Sequence, residues 1–249
     1  MKNSYVNNLA ITNLYKKKSL KSKIDTQLLY GENFRVIKKI SNWKKIRIER
    51  DGYTGFIKGK KFSYPIQANF KVSVLKAKLF SKPNIKKSLN KFLTYDSRLK
   101  VNEKKGKFAK FENYWIKKSD IKKINFKSKD LFKDIKKFKN IKYLWGGKSY
   151  KGIDCSALVQ VCLNQNNRYC PRDSKDQEKY FKKKIQLKNI KKNDIIFWKG
   201  HVAVALSQKK LIHAYGPMKK VVIMNIDKTI KKIYKTCKTK KNFRRSMVL

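Results

Sequence analysis

The sequence predicts an α+β chain, with two small β-barrel modules first and a mixed helix-and-sheet domain last. Three observations lead there. Short apolar runs alternate with Lys, Arg and Glu through residues 25–124 and are broken by turn signals. A helix start follows at Asp154, with Leu158, Val161 and Cys162 spaced to share one face. Four closely spaced strand-like runs then occupy residues 195–226, the helix-then-antiparallel-strand order of an α+β domain. A chain of 249 residues with 41% apolar content can bury two or three small cores.

The first module occupies residues 1–65. Phe34, Val36 and Ile37 lead into Ile40, and Trp43, Ile46 and Ile48 alternate roughly with charged residues. Asp51-Gly52 is a turn signal, followed by Tyr53, Phe56 and Ile57. The second module, residues 66–124, begins after a linker containing Pro65. Val72, Val74 and Leu75 form one strand, residues 79–83 an irregular crossing, and Leu99, Val101, Phe108, Phe111, Trp115 and Ile116 later strands. Residues 125–249 change character. Leu131, Ile135 and Phe138 have helical spacing, a helix is expected from Ser156 to about Asn164, and another from Ser174. Strands are expected at 195–198, 202–206, 211–215 and 221–226.

The charge is extreme, with 66 Lys plus Arg against 16 Asp plus Glu. Such a field attracts polyanions. Only eight of the 66 are Arg, however, the residue suited to bidentate phosphate and base contacts. The Lys are spread over the whole chain among many Asn and Ile, as codon bias in an AT-rich genome would place them. Specific nucleic-acid binding is therefore not expected, although non-specific binding at low salt is.

The cysteines are Cys155, Cys162, Cys170 and Cys237, and no pair has metal-ligand spacing. Reduced thiols in a cytosolic setting fit this usage better than a disulfide framework. Residues 1–23 lack an apolar signal-peptide core, and no stretch approaches a transmembrane length. The expectation is a cytoplasmic protein without membrane partners.

The chemistry concentrates in Gly152-Ile153-Asp154-Cys155-Ser156 and in the only two histidines, His201 and His213. A thiol attacking an amide needs a base for its proton and an acid for the leaving amine, and imidazole does both. Cys155 at a helix N-terminus would gain thiolate character from unpaired N–H groups and the macrodipole. His201 would be its base, with His213 fixing the tautomer. A hairpin centred near Ser207 would set the two histidines opposite one another. The Cys155 N–H is a candidate oxyanion donor.

Tyr143-Leu144-Trp145-Gly146-Gly147, the Asp154-Cys155-Ser156 block, Pro171-Arg172-Asp173-Ser174 with Gln177, Asn193-Asp194, Gly200-His201 and Leu211-Ile212-His213-Ala214 occur in that order. This series resembles the NlpC/p60 cysteine peptidases of bacterial cell-wall metabolism; Ala157 replaces the usual glycine. Thr26-Gln27-Leu28-Leu29-Tyr30-Gly31-Glu32 and Asp51-Gly52-Tyr53-Thr54-Gly55-Phe56 resemble the bacterial SH3-like modules of one branch, and residues 66–124 do so more weakly. That branch is similar to γ-D-glutamyl-L-diamino acid endopeptidases of dipeptidyl-peptidase VI type.

The resemblance implies a papain-like peptidase domain, no metal or organic cofactor, and a murein-derived peptide as partner. It also implies that Asp154, Ser156, Glu32 and Tyr53 hold the free amine of the substrate's L-Ala, and that Tyr143, Trp145 and Ser174 line the cleft. Bland alternatives stay open on the sequence: Asp154 as a plain helix cap, Glu32 as an exposed acid, Tyr53 as a barrel aromatic and Trp145 as core. Two rival activities remain, a thiol acyl- or amidotransferase and a non-enzymatic binder of wall polymer or nucleic acid. Hydrolysis of polymeric wall is a third.

Overall fold

The computed structural model describes residues 3–59, 61–183, 185–237 and 244–246. The chain divides into two compact units. One comprises Met1–Lys127 with Trp145–Tyr150 and Gln165–Asn167; the other comprises Ser128–Leu144, Lys151–Asn164 and Arg168–Leu249.

In the first unit, β1 (Ser4–Val6), β2 (Ile11–Tyr15), β3 (Ile24–Leu29), β4 (Asn33–Ile40), β5 (Trp43–Ile48) and β6 (Thr54–Lys58) form one sheet in the order β1-β4-β5-β6-β2-β3. Two of these strands lie in residues 1–23, which the sequence reading left without structure. Alternation drives the packing: Phe34 and Val36 point into a core with Leu14, Leu28, Ile46, Ile48 and Ile57, while Ile37 is exposed. Gly52 takes the left-handed conformation at φ 74°, and the Asp51 carboxylate accepts the Tyr53 N–H, as the turn signal requires.

A second set of strands follows: β7 (Phe70–Val72), β8 (Lys76–Phe80), β9 (Ser88–Thr94), β10 (Arg98–Leu99), β11 (Glu103–Lys105), β12 (Phe108–Phe111), β13 (Tyr114–Lys117) and β14 (Ile121–Lys123). They make a five-stranded sheet, β11-β12-β13-β8-β9, and a three-stranded one, β10-β7-β14. Leu79 and Phe80 belong to β8 rather than to an irregular crossing, because they pair with Ile116 and Trp115 of β13. Val72, Ala77, Leu79, Leu93, Leu99, Phe111, Ile116 and Ile121 form this core, joined by Tyr30. Two short extended pieces follow, β15 (Lys148–Ser149) in the first unit and β16 (Gly152–Ile153) in the second.

The second unit holds α1 (Cys155–Gln165), α2 (Ser174–Tyr180) and an antiparallel sheet in the order β20-β19-β18-β17-β21. Its strands are β17 (Ile195–Trp198), β18 (His201–Ala205), β19 (Lys210–Tyr215), β20 (Lys220–Asn225) and β21 (Arg244–Ser246). α1 is buried all round, so it presents no single apolar stripe. Ile226 does not end a strand as expected; it starts α3 (Ile226–Cys237), where Ile226 and Ile233 reach the core built on Ile196, Leu211 and Val222. Asn225 caps that helix, its side chain accepting the Lys228 N–H and its carbonyl the Thr229 hydroxyl.

Candidate active site

Cys155 is the first residue of α1, held there by Asp154, whose Oδ1 accepts the Ala157 N–H at 2.8 Å. The thiol is buried at 7% exposure. The backbone N–H groups of Val202 and Ser156 face its sulfur, which places Cys155 beside the start of β18, where His201 sits. His201 Nε2 lies 2.8 Å from His213 Nδ1, and His213 is fully buried. Tyr215 stacks on His213 with ring centroids 4.8 Å apart and planes 12° from parallel. Trp198 flanks His201 at 5.7 Å.

The strand register differs from the expected one. Val204 pairs with Ile212 and Ala205 with Leu211, which centres the hairpin on Gln208 rather than Ser207. Continued along the strands, this register sets Ala203 opposite His213, and His201 reaches its partner diagonally along the same sheet face. The turn explains the shift: Leu206 and Ser207 donate to the Lys210 carbonyl, and the Ser207 hydroxyl accepts the Lys209 and Lys210 N–H groups.

Burial also reverses the expected charge state. It pushes the Cys155 thiol up to about 12, with the Asp154 carboxylate adding to the rise; the Val202 and Ser156 amides and Arg172 only partly oppose it. Burial lowers His201 to about 4, and burial together with neighbouring His201 lowers His213 to about 3. The direction of all three shifts favours a neutral thiol and neutral imidazoles over the thiolate that a helix N-terminus alone suggests. Such a site can move a proton from sulfur to imidazole as a bond forms, without holding a charge beforehand.

Asp154 and Ser156 belong to a second cluster. Arg172 donates from Nη1 to Asp154 Oδ1 at 3.0 Å and to Ser156 Oγ at 2.9 Å, and from Nη2 to Asp154 Oδ2 at 2.6 Å. Gln177 of α2 donates to the carbonyls of Ser156 and Pro171, both at 2.9 Å. Arg172 had no assigned role in the sequence reading. Its signal was rarity, since this chain uses Lys almost everywhere a plain cation suffices and only Arg can bind a carboxylate as a fork.

Tyr143 is half-buried, and its phenol is pushed upward, first by burial and then by Cys155 and Asp154, which places it near both. Ser174 is half-buried at the start of α2. Trp145 is 63% exposed, so it is not a core residue. Tyr53 packs against the first module's core.

Glu32 requires a correction. It is neither an exposed acid nor a free carboxylate awaiting an amine. Lys148 Nζ lies 2.8 and 2.9 Å from its two oxygens, and the Leu29 N–H donates at 2.7 Å. Both side chains are 2% exposed or less. Burial alone would raise the Glu32 carboxyl, but Lys148 and the Leu29 amide outweigh it and the net direction is down. The Lys148 N–H also donates to Gln27 Oε1, and the Tyr150 N–H to Thr94 Oγ1. Gly146, at φ 73°, lets this segment pass where a Cβ would strike the Ile24 carbonyl.

Cys162 and Cys170 are buried, and the Cys237 side chain lies outside the described residues. Among the described residues, no group of three or more His, Cys, Asp or Glu could hold a metal ion, and no helix is long and apolar enough to cross a membrane.

Residues 140–240 match the NlpC/P60 family, and residues 14–61 match the bacterial dipeptidyl-peptidase Sh3 domain. A γ-D-glutamyl-L-lysine dipeptidyl-peptidase of Bacillus subtilis is 26% identical over 232 residues, covering 83% of this chain and 77% of that protein. Dipeptidyl-peptidase 6 of Lysinibacillus sphaericus is 40% identical over 72 residues, which span only 29% of this chain and 27% of that relative. A crystal structure of an NlpC/P60 family protein from Bacillus cereus superposes with a TM-score of 0.78 at 21% identity, covering 90% of this chain and 94% of that one, a likeness of fold.

Proposed function

We propose that this chain, which carries an NlpC/P60 domain together with an SH3 domain of the bacterial dipeptidyl-peptidase type, is a cysteine peptidase acting on cell-wall peptides. It cuts the γ-D-glutamyl–diamino acid bond of short peptides with a free N-terminal L-Ala. Residues 66–124 are a second SH3-like module between residues 1–65 and the peptidase domain at 125–249. The reading rests on one observation above all: a buried Cys155 facing the start of β18, with His201 and His213 joined at 2.8 Å. The names of the relatives narrow the substrate.

With Nε2 turned to His213, His201 offers Nδ1 to the thiol. The Cys155 sulfur attacks the γ-carbonyl carbon as Nδ1 takes its proton. The oxygen gains negative charge next to the Cys155 N–H, one of the first-turn donors that a helix leaves unpaired. The protonated imidazole then gives its proton to the departing diamino-acid amine, leaving a thioester. Water, deprotonated by the same nitrogen, cleaves the thioester and restores the thiol. His213 stabilises His201 while it carries the extra proton.

Asp154 and Ser156, flanking the nucleophile, hold the L-Ala end, with Tyr143 and Ser174 of the same unit beside them. A reducing compartment suits the thiol nucleophile, and we place the protein in cytoplasmic recycling of murein peptides. The test is mass spectrometry of free L-Ala-γ-D-Glu-L-Lys incubated with the protein. Release of L-Ala-γ-D-Glu supports the reading; an untouched tripeptide alongside cleaved polymeric wall replaces it with a lytic hydrolase.

A further inference from the structure

The two imidazoles can share their hydrogen bond in two ways, and only one is productive. If His213 Nδ1 carries the proton and donates to His201 Nε2, neutral His201 must carry its own proton on Nδ1 and cannot accept one from a thiol. If His201 Nε2 carries the proton, Nδ1 is bare and ready. The choice depends on what the far nitrogen of His213 meets.

That nitrogen meets sulfur. His213 Nε2 lies 3.3 Å from Met224 Sδ. Met224 sits on β20 two residues beyond Val222, the direct cross-strand partner of His213, so both side chains lie on the same sheet face. Tyr215, stacked on the His213 ring, holds its plane. A thioether accepts a hydrogen bond weakly and cannot donate one. Facing it, Nε2 is better satisfied as N–H than bare.

We infer that Met224 is a positioning residue that sets the tautomer of both histidines. Its sulfur keeps the proton on His213 Nε2, which leaves His213 Nδ1 to accept from His201 Nε2–H and frees His201 Nδ1 for Cys155. The inference rests on the proposed Cys155–His201–His213 site and extends it to a residue whose side chain carries no acid or base. A charged orienting partner is unnecessary when the required role is only acceptance.

The chain suits a direct test because it has only two histidines and hence four ring nitrogens to observe. Full-length protein labelled with 15N-histidine is examined at neutral pH by long-range proton–nitrogen correlation, with His213→Gln used for assignment. The expected pattern is protonated Nε2 and bare Nδ1 on both rings. Met224→Leu, which keeps the volume and removes the acceptor, should mix the tautomers and lower kcat about tenfold with KM nearly unchanged, the scale of one modest hydrogen bond. Met224→Gln restores an acceptor and should recover most of the rate.

Protonated Nδ1 on His213 in the wild-type protein overturns the inference, as does Met224→Leu with unchanged tautomers and kcat. The wild-type spectrum decides even if Met224→Leu folds poorly. Failure of the tripeptide assay with the expected spectrum would sink the substrate reading and leave the tautomer assignment standing; cleavage with the opposite spectrum would do the reverse.

Discussion

In the first compact unit, Glu32 and Lys148 pair at 2.8 Å with neither side chain more than 2% exposed; in the second, the thiol of Cys155 at 7% exposure, the fully buried His213 and the half-buried His201 are all shifted toward their uncharged forms. The difference lies in whether the group's partner is ionic. Glu32 has an ammonium and an amide N–H, so its ionised form survives burial. Cys155 is penalised first by burial and then by the nearby Asp154 carboxylate, beyond what the amides and Arg172 offset, so its ionised form is disfavoured. A pair of permanent charges holds a shape. A neutral acid beside a neutral base has a proton still to transfer. Arg172 keeps the two modes apart in the second unit by tying up Asp154 through both oxygens.

Substitutions should split along this line. Cys155→Ala should abolish tripeptide hydrolysis, a loss on the order of a millionfold in kcat if the thiol is the nucleophile, with the melting temperature little changed. Cys162→Ala and Cys170→Ala should retain most activity. His201→Ala should cost more rate than His213→Ala, because only His201 carries the proton between sulfur and leaving group. Asn or Gln at position 213 should restore part of what Ala loses. Equal collapse for all of these would mean that His213 does more than orient.

Lys148→Met should act on stability instead. Stranding the Glu32 carboxylate in a dry interior costs about 3–5 kcal/mol, read as a shift in the urea midpoint, and adding Glu32→Gln should recover most of it. A single substitution with no effect on stability would show that the pair is not buried in solution.

The Asp154–Arg172 pair resets the expectation for the substrate amine. An unpartnered carboxylate in the cleft would penalise an N-acetylated tripeptide about a hundredfold. With Asp154 matched by Arg172, the discrimination should be closer to tenfold, a loss of hydrogen bonds rather than of an ion pair. Comparative rates on the free and acetylated peptides measure it.

Much of the second unit was legible in the sequence, because its signals are local. β17 falls where the apolar run 195–198 predicts it, α2 begins at Ser174, and α1 begins one residue before the predicted Ser156. The two histidines stood out by scarcity. What was not legible is long-range. Glu32 and Lys148 are 116 residues apart, Asp154 and Arg172 are 18 apart, and no periodicity links them. Against 66 basic residues, one more lysine gives no hint that it is buried. α3 was missed for a different reason: Ile226, Ile230 and Ile233 have helical spacing, but the lysines between them read equally well as the end of a strand. The hairpin register turned on a single loop residue, which local pattern does not specify.

Smaller effects follow from pH. The unfolded chain takes up protons on His201 and His213 near 6.5, whereas the folded sites resist until about 4 and 3. Between these limits the unfolded state binds more protons, so stability should fall as pH drops from 6.5 toward 4. His213→Gln should flatten part of that slope in urea titrations. For the same reason the acid limb of kcat/KM should lie near pH 4, where His201 ceases to be a base.

The charge state of Cys155 is the claim on which the contrast between the two units turns. It can be measured as the far-ultraviolet thiolate absorbance of the full-length protein minus that of Cys155→Ala, followed across pH. The account predicts no difference signal at neutral pH, with thiolate emerging only on the approach to about 12. A full thiolate signal at pH 7, lost on acidification together with activity, would contradict it and make the resting site a charged pair like the one that joins Glu32 to Lys148.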